Sequence, residues 1–117
     1  MTSFVGAEYV IATMLLRKAQ KGVSYVSIDE LGKYGISVQH MANSEDLDAV
    51  FLTSKYQLFN AIYDFSDYFS CKFDSNGDLS EIYLNSSKNI TDLEYRFIGY
   101  LSDDIYNLLI RVVDLVA

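Results

Sequence analysis

The dipeptide Asn76-Gly77 stands between two β-prone runs, Tyr68-Phe69-Ser70-Cys71-Lys72-Phe73 and Leu79-Ser80-Glu81-Ile82-Tyr83-Leu84, and no other stretch limits the fold so tightly. A two-residue type I′ turn needs φ > 0 at both central positions, which Asn and Gly tolerate best. With the turn at that point, Ser75 faces Asp78, Phe73 faces Ser80, Lys72 faces Glu81, Cys71 faces Ile82 and Phe69 faces Leu84. Strand side chains alternate, so Phe69, Cys71, Phe73, Ile82 and Leu84 share one face, the core face, while Lys72 and Glu81 pair on the other. A one-residue slip would scatter the apolar residues between core and water.

The 117 residues make one domain by length, and folding at that size buries roughly two-thirds of the unfolded surface. Half the residues are apolar and 21% are charged, which argues against disorder. The net charge of −7 sets the surface against nucleic-acid phosphates. Arg17, Lys18 and Lys21 form the one basic cluster. Cys71 is the sole cysteine, so neither an intrachain disulfide nor a multi-cysteine metal knuckle is available. The N-terminal apolar stretch is interrupted by Glu8 and is followed, not preceded, by basic residues, unlike a secretory leader. The expectation is a cytoplasmic protein without membrane association, in which the sequons at Asn85 and Asn89 are chance matches.

Thr2 or Ser3 can cap a first helix reaching about Lys21, with Phe4, Ala7, Val10, Ile11, Met14, Leu15 and Lys18 on one stripe. Gly22 ends it, and its basic residues suit the negative end of the helix dipole. Val23 to Ile28 is a short β-prone run. Ser27 and Glu30 form a capping box for a second helix ending near Gly35. Tyr34-Gly35-Ile36-Ser37 reads as a turn, Ser37 caps a further helical turn, and Asn43 to Asp48 is an acidic polar patch. Residues 46–53 fit either helix or strand. Ser54 and Gln57 box the start of a helix over about 55–67. After the hairpin, Thr91 and Glu94 form a third box with an Ile90–Tyr95 staple, placing a helix start at Asp92. Gly99 and Ser102-Asp103-Asp104 divide the C-terminal segment into two helices. Leu93, Phe97, Leu101, Ile105, Leu108, Val112 and Leu115 make one stripe. Leu109, Ile110, Val113 and Val116 make a second, which marks a helix that is either central or shared with a partner.

The segment Val26-Ser27-Ile28-Asp29-Glu30-Leu31-Gly32-Lys33-Tyr34-Gly35-Ile36-Ser37, taken with the 69–84 hairpin, resembles the strand, second helix, tight turn and wing of a winged helix-turn-helix domain. The resemblance is one of element order over most of the chain. It implies a recognition helix opening at Val38, Gln39 and His40, and a wing at Asp74-Ser75-Asn76-Gly77-Asp78. This chain departs from the family pattern there, because Glu45, Asp46, Asp48, Asp74 and Asp78 all oppose phosphate contact. Nucleic acid is therefore not the expected partner.

No motif specifies a chemistry. His40, the one histidine, has no nucleophile near it in sequence. Cys71 falls on the inferred core face, where a thiol behaves as a small hydrophobe. From Asp74, Gly is fourth and the twelfth residue is Asn85, which does not fit the EF-hand. The pairs Asp64/Asp67 and Asp103/Asp104 have no second ligand set and read as solvated helix surface. The compositional excess is ten tyrosines. By the hairpin register Tyr68 and Tyr83 project from its outer face beside Lys72 and Glu81, and tyrosine is enriched in interfaces.

The sequence thus predicts an α+β domain of helices packed on a small antiparallel sheet, winged-helix-like in order, with a long C-terminal helical segment. No enzyme activity, cofactor or metal is expected. The expected role is binding another protein through Tyr68, Lys72, Glu81 and Tyr83, as a regulatory adaptor or an acidic inhibitor of immunity type. A homodimer through Leu109, Ile110, Val113 and Val116 is the accompanying expectation. The alternative is a winged-helix regulator that dimerises through its C-terminal helix.

Overall fold

A computed structural model describes residues 3–44 and 49–116 and shows an α+β protein. Its elements run β1 (Ser3–Val5), α1 (Ala7–Gln20), β2 (Tyr25–Ser27), α2 (Ile28–Ser44), β3 (Ala49–Phe51), α3 (Lys55–Asp64), β4 (Phe69–Phe73), β5 (Leu79–Leu84), α4 (Ile90–Arg96), a 3₁₀ turn (Ile98–Tyr100) and α5 (Asp103–Val116). Among the described residues two small sheets form: β1 and β3 pair in parallel, and β2-β5-β4 is antiparallel with β5 in the middle.

The first helix starts later than the sequence predicts. Ser3–Val5 is strand, held to β3 with Val5 opposite Phe51, and Gly6 caps α1 in extended geometry. Pairing with a strand more than forty residues away decides this, and no local pattern announces it. Within α1, Val10, Ile11, Met14 and Leu15 are buried as their spacing requires, while Phe4 is exposed on β1. Gly22 ends the helix with φ of 80°, a region only glycine enters without strain. Of the basic cluster, Arg17 pairs with Asp114 and Lys18 with Glu30.

A larger correction concerns Tyr34–Ser37, which is not a turn. α2 runs unbroken for 17 residues, so this stretch has no helix-turn-helix corner. Its buried residues Leu31, Tyr34, Gly35, Val38 and Ala42 follow helical spacing straight through the glycine. Gly35 serves close packing instead: a Cβ there would lie 3.0 Å from Thr53 Cβ. Ser27 does cap α2, its Oγ accepting from Glu30 N–H at 3.1 Å. The undecided stretch resolves as strand over Ala49–Phe51; residues 45–48, including most of the acidic patch, lie outside the described residues.

The capping box at Ser54 and Gln57 forms in full. The third box forms two residues early, between Asn89 and Asp92, and Tyr95 is exposed rather than stapled. Ser102 opens α5 by accepting from Ile105 N–H. Phe97, fully buried, stands at the centre of an aromatic cluster, with Tyr9, Phe65, Tyr68 and Phe69 rings at 6.1, 5.3, 5.2 and 5.5 Å. Among the described residues, no helix is long and apolar enough to cross a membrane.

Candidate protein-binding surface

The hairpin register holds along its base: Phe69 pairs with Leu84, Cys71 with Ile82 and Lys72 with Glu81. At the tip it shifts. Phe73 pairs with Leu79, not Ser80, and Ser80 becomes the extra residue of a bulge in β5. The cause is the loop, which spans Asp74 to Asp78 in place of a two-residue turn. Gly77 N–H donates to Asp74 O at 3.0 Å, and Asp74 Oδ1 accepts from the N–H groups of Asn76 and Asp78 at 2.9 and 3.0 Å. An aspartate able to satisfy two backbone donors favours the wider loop. Oδ1 of that carboxylate is therefore committed to the turn.

The hairpin's inner face is core only at its base. Phe69 and Ile82 are buried, but Cys71 is exposed and Phe73 is 60% exposed, which corrects the core placement of both. The distal half of the hairpin projects past the helices and leaves an open groove of about 280 Å³ lined by Phe59, Ile62, Tyr63, Phe69, Cys71 and Phe73 among others. Partial burial against this groove raises the Cys71 thiol above its ordinary value. A thiol so held is a poor thiolate source.

The outer face carries the predicted tyrosine surface in altered form. Tyr83 lies between Ser70 on β4 and Tyr25 on β2, and Glu81 lies between Lys72 and Ser27. The Tyr25 and Tyr83 rings are 5.7 Å apart at a 39° tilt. Tyr83 donates its hydroxyl to Glu81 Oε2, and Lys72 Nζ lies 4.0 Å from the same oxygen. The Glu81 hydrogen bond, then desolvation, then the charges of Glu81 and Tyr25 push the Tyr83 phenol above the usual tyrosine range. Tyr68 is not part of this group: it packs against Phe97, with Lys88 Nζ 4.8 Å from its ring centre.

Three of the four predicted residues thus come together, and the structure adds Tyr25. Strand alternation puts Tyr25 and Ser27 on one face, but nothing local reveals that β2 joins β5. The predicted dimerisation residues divide differently. Leu109 and Val113 are buried within the chain against α1 and α2, while Ile110 and Val116 are half-buried. Leu115, at the end of the first apolar stripe, is 75% exposed. Among the described residues no three His, Cys, Asp or Glu side chains gather where they could share a metal ion. No family model, curated protein or solved structure matches the chain.

Proposed function

We propose that this is a non-enzymatic, cytoplasmic protein-binding module, a regulatory adaptor or an acidic inhibitor of immunity type, that meets its partner with the outer face of the β2-β5-β4 sheet. The observation that carries the reading is the Tyr25–Tyr83 pair, Tyr25 exposed and Tyr83 half-buried, with the Tyr83 hydroxyl held on Glu81. Tyrosines already fixed in place supply large contact area while losing little conformational freedom on binding. The net charge of −7 favours a partner with a basic surface.

The test is capture from the native host with identification by mass spectrometry, using the wild-type chain and the variants Tyr25→Ala and Tyr83→Ala. The expected result is a salt-sensitive partner with a basic surface, retained by wild type and lost by both variants. Equal capture by all three proteins overturns the reading. So does clear binding to random duplex DNA at low salt with a steep salt slope, which would favour the winged-helix regulator.

A further inference from the structure

β4 is the outer strand of its sheet, so among the described residues one long side of it has no strand beside it. The pairing shows which groups that leaves over. Asn85 N–H donates to Tyr68 O at 2.8 Å, and bonded pairs in an antiparallel ladder recur every second residue. Ser70 and Lys72 therefore turn their N–H and C=O groups towards β5, and Cys71 turns both outward, whereas Phe69, also on the outer side, has its N–H taken by Phe65 O at 3.0 Å and offers only its C=O. Asp74 N–H donates to Asp78 O across the loop, which leaves Phe73 facing outward as well. The usual protections of an edge are sparse here: the chain has no proline, the bulge lies in β5, and β4 carries a single charge, Lys72.

We propose that β4 pairs antiparallel with β4 of a second copy about a two-fold axis at Cys71, joining two three-stranded sheets into one. The strand is self-complementary in this register. Cys71 meets Cys71 as a hydrogen-bonded pair, Phe69 meets Phe73, and Ser70 meets Lys72, so no like charges are opposed. Phe73 of each copy comes over the mouth of the other's groove, where Phe59, Ile62 and Tyr63 are the apolar lining. Two copies of charge −7 repel unless the seam brings cations to carboxylates. This one does: Asp74 falls opposite the second copy's Tyr68, over whose ring Lys88 sits. The acidic tip of each hairpin meets the other's lysine, twice by symmetry. The seam lies along the strand edge and leaves the tyrosine face free.

The native cysteine reports on this arrangement. In a hydrogen-bonded antiparallel pair the Cα atoms are about 5.5 Å apart, within disulfide range. Copper–phenanthroline should therefore take two electrons and two protons from the paired thiols and give a covalent dimer of the full chain. Light scattering should give twice 13.3 kDa at high concentration. Phe73→Glu, an exposed position, should weaken association about tenfold or more and abolish the cross-link. Cys71→Ala should lose the cross-link and keep the dimer. A strict monomer overturns the proposal, and so does a dimer that Phe73→Glu leaves intact. Either result leaves capture by the tyrosine face unaffected, so the two readings fail separately.

Discussion

Arg17 on α1 closes a two-pronged ion pair with Asp114 on α5, its Nη2 lying 2.7 and 2.6 Å from the two carboxylate oxygens and its Nε 3.0 Å from Oδ1. The contact ties the first helix to the last. The side chains are 25% and 41% exposed, which keeps the pair within the range of surface ion pairs. Arg17→Ala or Asp114→Asn should cost about 1 kcal/mol, near 4 °C in Tm, and Arg17→Lys should lose much of that because an ammonium cannot make the fork. Melting in about 1 M salt should shrink the difference between wild type and variant. An unchanged Tm at low salt would show that the pair contributes nothing.

Two glycines of α2 should respond in opposite directions. Gly32 has open space where a Cβ would go, so Gly32→Ala should stabilise by about 0.5–1 kcal/mol through helix propensity alone. At Gly35 the added methyl meets Thr53, which is buried and whose hydroxyl donates to Gln39 at 3.2 Å, so Gly35→Ala should be net destabilising. Urea midpoints measure both. Similar gains at the two sites would mean that the 53-to-54 segment yields easily.

Phe97→Ala removes the ring on which four other aromatic side chains converge. It should cost about 3–5 kcal/mol, and Phe97→Leu distinctly less, by chemical denaturation. A loss below about 1.5 kcal/mol would indicate that the cluster collapses around the missing ring.

Tyr83 gives the fold a pH dependence in the alkaline range. Its folded value is raised, chiefly by the hydrogen bond to Glu81, so the folded chain holds the phenolic proton more tightly than the unfolded chain does. The resulting stability is fully present below about pH 10, the unfolded value, and is lost as pH rises through the folded one. Tyr83→Phe should flatten that decline in a series of urea midpoints taken at increasing pH. Equal slopes for wild type and variant would remove Tyr83 as the cause.

Cys71 shows where local reading stops. Alternation places it on the face of Phe69 and Ile82, and the pairing bears that out, yet it is exposed because α3 covers only the base of the hairpin. Leu109, Val113 and Leu115 teach the same lesson on α5. Their spacing gives the angular order around the helix, while the position of α2 and α1 decides which arc is buried.

What the sequence determined by itself is local: the hairpin and its base register, the caps at Ser27, Ser54 and Ser102, and the break before α5. Each depends on groups a few residues apart, whose hydrogen bonds and backbone preferences act wherever the segment lies. What stands opposite each face was settled by long-range packing. The β1–β3 pairing, the union of Tyr25 with Tyr83, the helical Gly35 under Thr53 and the open edge of β4 all join or separate residues distant in sequence. Periodicity shows that a face is apolar or polar, but the free energy of covering it depends on the element that arrives there.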